Sequence, residues 1–162
     1  MKRRTFLRAG VAAAALLSLP LAIDAGRERK GRMIEKIHKS EAEWKQLLNP
    51  EQFNVLRRSG TEKPFSSALN KEYGQGSYLC AGCDLSLFES DTKFDSGTGW
   101  PSFYAPIEEH TETKRDFMLI LPRTEYHCAR CGGHQGHVFH DGPEPTGQRW
   151  CNNGVALKFV PA

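Results

Sequence analysis

No stretch of this sequence supplies the roughly 20 consecutive apolar residues that a membrane-spanning helix needs. The longest candidate, Ala9 to Ile23, is shorter, is relieved by Gly10 and Ser18, and contains Pro20. Net charge is also missing from most of the chain. The overall balance is +3, but Lys2, Arg3, Arg4 and Arg8 against Asp24 account for it, leaving 18 basic and 18 acidic residues that cancel. A neutral body gives no electrostatic footing for nucleic acid. Internal repeats are absent apart from two short cysteine knuckles, which excludes solenoids and propellers. With 162 residues, 39% hydrophobic and 25% charged, the chain reads as one ordinary globular domain.

The N-terminal charge has the character of an address. Lys2-Arg3-Arg4-Thr5-Phe6-Leu7-Arg8 precedes the apolar run, a charged start and apolar middle like those of a secretory signal. Paired arginines followed by Phe-Leu resemble a bacterial twin-arginine export signal. No strict Ala-x-Ala closes the run, so Ala22 and Ala25 are the candidate ends. Residues 1–25 are therefore expected to be a signal peptide, 26–39 a charged linker, and 40–160 the folded domain. The expected location is the bacterial periplasm or cell envelope, with no stable membrane span after processing.

Within the domain, Ser40 and Glu43 fit a capping box ahead of Trp44, Leu47 and Leu48 on one helical face. Asn49-Pro50 predicts a second helix carrying Phe53, Val55 and Leu56, with Gly60 past its end. Beyond Pro64 the texture changes to short apolar runs between turn residues, at Tyr78-Leu79, Phe117 to Leu121 and Val155 to Val160. The last alternates Val155, Leu157 and Phe159 with Ala156, Lys158 and Val160, a strand pattern. The expected architecture is two short helices on a mainly antiparallel β core.

Four of the five cysteines form Cys80-Ala81-Gly82-Cys83 and Cys128-Ala129-Arg130-Cys131. Two residues between thiolates let both sulfurs of a tight turn face one ion, and two such turns complete a tetrahedron. Gly82 and Gly132-Gly133 are expected to supply backbone freedom there. Two disulfides or a redox-active pair are the alternatives, but matched knuckles favour a closed, structural zinc site. Cys151 stands apart in Arg149-Trp150-Cys151-Asn152-Asn153-Gly154. Isolated cysteines commonly serve as small buried hydrophobes. Upstream, however, His134, His137, His140 and Asp141 offer proton donors, and an adjacent Arg149 favours thiolate over thiol. His134 and His137 could alternatively form a metal pair at i, i+3, although four sulfurs already satisfy one zinc.

Taken in order, these segments resemble the methionine-R-sulfoxide reductase B family. The resemblance runs from about Ser40 to Phe159. It is carried by both knuckles, Phe94-Asp95-Ser96-Gly97-Thr98-Gly99-Trp100-Pro101-Ser102-Phe103, Gly136-His137-Val138-Phe139, Asp141-Gly142-Pro143, Pro145-Thr146-Gly147 and Arg149-x-Cys151-x-Asn153. It implies two antiparallel sheets in a tent-like, barrel-like, zinc-containing core, and no organic cofactor. It further implies that Cys151 attacks the sulfur of methionine (R)-sulfoxide in oxidised proteins and is left as sulfenic acid. His137 and His134 would protonate or hold the departing oxygen, and Asp141 would orient or charge that pair. Asn153 would join the polar network, Arg149 would hold Cys151 ionised, and Trp100 would wall the substrate methyl group; a core role is the alternative for Trp100.

The chain also departs from the pattern. Thr98 stands where many members carry a resolving cysteine, so an external thioredoxin-like or small-thiol reductant is expected to act on Cys151. Trp150 replaces the usual Tyr and Gly154 the usual Ser, while Gly133 and His140 are less typical. A thiol–disulfide oxidoreductase and a zinc-stabilised binding module are the competing functions; the first would need a metal-free knuckle and the second no Cys151.

Overall fold

A computed structural model describes residues 34–116 and 123–162. The expected signal, most of the linker and the strand expected at Phe117 to Leu121 lie outside the described residues.

Both helices form as their caps dictate. In α1 (Glu41–Leu47), Ser40 Oγ accepts from the Glu43 N–H at 3.3 Å, and the Glu43 carboxylate accepts from the Ser40 N–H at 2.8 Å. In α2 (Pro50–Arg58), Asn49 Oδ1 accepts from the Gln52 N–H at 2.8 Å, and proline occupies the first turn. Each cap satisfies N–H groups that a helix start leaves orphaned. The apolar face of α1 is narrower than expected, because Trp44 and Leu48 are buried while Leu47 is 60% exposed. Ser59, not Gly60, takes the left-handed position that ends α2.

Among the described residues nine strands follow, in two antiparallel sheets. The smaller sheet contains β1 (Gly76–Cys80), β2 (Ser86–Glu89) and β9 (Leu157–Pro161), in the order β2-β1-β9. The larger contains β3 (Lys93–Phe94), β4 (Ser102–Phe103), β5 (Thr111–Asp116), β6 (Arg123–Cys128), β7 (His134–Phe139) and β8 (Arg149–Asn152). Its order is β3-β4-β8-β7-β6-β5. The expected C-terminal strand is shorter than the alternation suggested, since residues 154–156 form a 3-10 turn before β9.

The sheets meet through aromatic side chains. Phe88 of β2 stacks on Phe103 of β4 with ring centroids 4.1 Å apart, and Tyr78 of β1 meets Phe103 edge-on at 4.9 Å. Tyr126 of β6 meets Trp150 of β8 at 4.9 Å. Fully burying each such ring stabilises the fold by roughly 1.5–3 kcal/mol. Helix α2 packs against β7 and the 154–156 turn, bringing Leu56 beside Gly133.

Candidate active site and metal centre

Each cysteine knuckle is built by the same turn. The Asp84 N–H donates to the Cys80 carbonyl and the Gly132 N–H to the Cys128 carbonyl, both at 2.9 Å. Asp84 (φ 58°) and Gly132 (φ 67°) occupy the corresponding left-handed position. The expected role of Gly82 is therefore taken by Asp84, a residue type that tolerates this conformation.

The knuckles bring all four sulfurs within 4.8 Å of one another. Cys80 and Cys131 Sγ are 3.7 Å apart, and Cys83 and Cys128 Sγ 3.5 Å. Four sulfurs at about 2.3 Å from a central ion stand about 3.8 Å apart, so the donor set fits a tetrahedral thiolate site. It does not fit disulfides, whose sulfurs lie about 2.05 Å apart, and all five cysteines are free. Behind the cluster, Gln135 Nε2 donates to Cys80 Sγ at 3.3 Å. Among the described residues this is the one group of three or more His, Cys, Asp or Glu side chains placed to hold a metal ion, while His134 and His137 each face a carboxylate of their own.

Cys151 sits in the interior of the larger sheet. Its register partners are Ser102 on β4 and His137 on β7, and directly opposed residues of an antiparallel pair share a face. The strands approach closely at this point: a Cβ on Gly136 would lie 1.9 Å from the Cys151 carbonyl oxygen. His134, three residues before His137, would normally face the other way. A bulge in β7 corrects the parity, because Tyr126 pairs with Gly136 and His127 with His134, leaving Gln135 as an extra residue. His134 and His137 consequently approach to 5.6 Å between ring centroids.

Burial pushes the Cys151 thiol above its ordinary value, while Arg149 and a hydrogen bond with Thr98 pull it down. The Arg149 charge thus favours thiolate, and desolvation outweighs it. Asp141 does not meet the expectation placed on it. Its carboxylate receives Arg149 Nε at 2.8 Å and Nη2 at 2.9 Å, a bidentate pair, and Arg149 also lies over the Phe139 ring at 4.2 Å. The histidines have other carboxylates: His137 Nε2 meets Asp116 Oδ2 at 2.9 Å, and His134 Nδ1 meets Glu125 Oε1 at 2.8 Å. Asp116 Oδ2 also accepts from Arg123 Nη2 at 2.9 Å.

The histidines are not equivalent. His137 lines a pocket of about 140 Å³ together with Cys151, Trp100, Arg123, Asn153 and Thr61. His134 is 3% exposed, burial pushes its imidazole down against the pull of Glu125, and its Nε2 has no protein partner. His140 is exposed and does not line this pocket. Trp100 is half-buried and lines the pocket. A larger groove of about 530 Å³, lined by Glu51, Lys63 and Ser66, lies alongside and shares Thr61. Its lining holds no cysteine or histidine, whereas the smaller pocket has both.

Sequence reading missed Asp116, Arg123, Glu125, Glu62 and Gln135. The first three sit in charged strands without a motif, and only the register of β5, β6 and β7 brings the Asp116 and Glu125 carboxylates to imidazoles and Arg123 to Asp116.

Comparison with known proteins gives this geometry its context. The SelR domain model matches residues 48–161. The chain belongs to the SelR family. Its relatives within that family include the peptide methionine sulfoxide reductase MsrB of Methanosarcina mazei, 55% identical over 126 residues, covering 77% of this chain and 90% of the relative. The protein of that name from Leptospira interrogans is 50% identical over 125 residues, covering 76% and 95%. The one from Pseudomonas putida is 54% identical over 129 residues, covering 79% and 97%. For a SelR member, the two-sheet core with a four-cysteine cluster is the expected architecture.

Proposed function

We infer that this chain is a peptide-methionine sulfoxide reductase acting on the R epimer in oxidised proteins. The carrying observation is Cys151 side by side with His137 on adjacent strands, facing a pocket walled by Trp100. Attack by Cys151 sulfur on the sulfoxide sulfur is the first step, with the oxygen ending on the cysteine. His137, lining the pocket and held by Asp116, supplies the proton that the oxygen needs as its bond to the substrate sulfur breaks. Methionine leaves and Cys151 becomes a sulfenic acid, so substrate sulfur is reduced and cysteine sulfur oxidised by two electrons. His134, buried and carboxylate-bound, supports His137 rather than touching substrate, and Asn153 fixes the pocket floor. Arg149, anchored by Asp141, draws the thiol toward ionisation.

Two equivalents of an external thiol return the sulfenic acid to thiol, releasing a disulfide and water. With Thr98 at the recycling position and four thiols committed to metal, no internal thiol serves. Cys80, Cys83, Cys128 and Cys131 would hold zinc, which cross-links the knuckles and has no part in the sulfur chemistry. Residues 1–25 are proposed as a twin-arginine export signal, 26–39 as linker and 40–160 as the reductase domain, placing the enzyme in the periplasm. The test is a single turnover of reduced, metal-loaded protein with each epimer and no recycling thiol. About one methionine per chain from R alone, abolished in Cys151→Ser, is expected. Methionine from neither epimer would refute the reading.

A further inference from the structure

We propose that Glu62 is a positioning residue that sets the spacing between Trp100 and Asn153, and thereby the fit of the sulfoxide; this rests on the reductase reading above. Trp100 and Asn153 belong to segments far apart in sequence, the loop before β4 and the turn after β8. Glu62 bonds to both. Its carbonyl accepts from Trp100 Nε1 at 3.2 Å, and its N–H donates to Asn153 Oδ1 at 3.0 Å. Among the described residues, no other is hydrogen-bonded to both side chains.

The Glu62 side chain fastens this bridge. Its two carboxylate oxygens accept from the consecutive N–H groups of Gly154 at 2.6 Å and Val155 at 2.9 Å. Burial pushes its carboxyl up while these N–H groups pull it down, and the half-buried group is held in place by those two donors. The surrounding strap grips the same two segments. The Phe65 N–H and Asn70 Nδ2 both donate to the Gly99 carbonyl, at 2.7 and 2.9 Å. Ser67 packs so tightly on Gly154 that a Cβ there would meet its Oγ at 2.1 Å. Asn153 is tied from the far side, its Nδ2 donating to the Gln135 carbonyl at 2.9 Å. The floor is therefore fixed to the sheet, and Glu62 holds the Trp100 wall at a set distance from it. Neighbouring Thr61 lines the pocket itself.

A residue that only supported the fold would lower stability and rate together. A spacer acts on binding, because the nucleophile and its proton donor sit on β8 and β7, which the strap does not touch through Glu62. Glu62→Ala is expected to raise the sulfoxide concentration giving half-maximal single-turnover rate by about tenfold, a binding loss of about 1.4 kcal/mol. The maximal rate should stay within about threefold. Glu62→Gln keeps one carbonyl acceptor and should fall between, at about threefold. The indole N–H resonance of Trp100, assigned with Trp100→Phe and read without substrate, should move in Glu62→Ala while those of Trp44 and Trp150 stay. An unshifted Trp100 resonance with unchanged half-saturation would overturn the proposal. A fall in maximal rate and thermal midpoint at unchanged half-saturation would do the same. Should Glu62→Ala not fold, Glu62→Gln alone carries both readouts. If the wild-type chain reduces neither epimer, the reductase reading fails, and the indole shift still judges the clamp by itself.

Discussion

Replacing Asp116 by Asn separates the work of one carboxylate oxygen from the rest of the site. Asp116 Oδ2 receives Arg123 Nη2 and His137 Nε2, both at 2.9 Å, and its side chain is 7% exposed. A hydrogen bond to a charged group nets roughly 1.5–3 kcal/mol. Arg123 is a third exposed and regains water when the charge disappears, so the combined stability loss should be about 2 kcal/mol. For a domain of this size that lowers the thermal midpoint by about 5–10 °C. The catalytic loss should be larger in proportion. An amide can present N–H instead of oxygen to Nε2, which selects the opposite histidine tautomer. A well-placed general acid supplies about 10²–10⁴ in rate, and a misdirected one forfeits much of that. The single-turnover rate should therefore fall about a hundredfold with half-saturation little changed. Rapid quenching with methionine quantification reads the rate, and a urea titration reads stability. A protein destabilised as expected yet turning over at the wild-type rate would refute the argument. It would reduce Asp116 to a tie across the β5–β6 pair, where it faces Arg123 in register.

Because burial raises the Cys151 thiol against the pull of Arg149, alkylation by iodoacetamide should accelerate as pH rises toward a midpoint above the ordinary thiol value. Arg149→Met removes the lowering charge, so the midpoint should move higher and the rate at pH 7 fall; a lower midpoint would contradict this. Thr98→Cys places a thiol at a position that acts on the Cys151 thiol, and one substrate equivalent should consume two thiols as a disulfide. The wild-type chain should lose one, trapped by dimedone. Stripping the metal with a chelator should lower the thermal midpoint sharply, since metal binding and folding are linked in small thiolate sites. Gln135→Leu should weaken metal retention about tenfold in competition with a chromophoric chelator. Its folding stability should change by less than about 1 kcal/mol, because the Asn152 amide that donates to Gln135 at a long 3.5 Å also donates to the Asn153 carbonyl at 2.8 Å. Unchanged retention would make that amide mere packing.

Local chemistry was legible in the residues. Both helix starts are written in Ser40–Glu43 and Asn49–Gln52, and the knuckles in their two-residue spacing. What depends on pairing was not. Thr111–Asp116 carries charge on both faces and lies almost wholly exposed until Asp116, so no alternation marks it as a strand or its last residue as a histidine's partner. Asp141 invited the wrong assignment because it is near His137 along the chain, whereas the Phe139–Arg149 register delivers Arg149 to it. The bulge that turns His134 toward His137 has no sequence signature in Gly133-His134-Gln135-Gly136. It exists only as a mismatch between two strands. Glu62 likewise lies in a polar stretch whose anchoring partners are 92 and 93 residues away.

The concealment of the four-cysteine cluster has a consequence for its access to oxidants. Thiol oxidation follows thiolate character and access together. Cys80 and Cys128 are fully buried and Cys131 is 6% exposed, so peroxide reaches the cross-link only through the half-exposed Cys83. Cys151, at the pocket, is open to the small molecules that the cluster excludes. Three of the four cluster sulfurs are thereby shielded from oxidant, and Cys83 marks where that shielding would first give way.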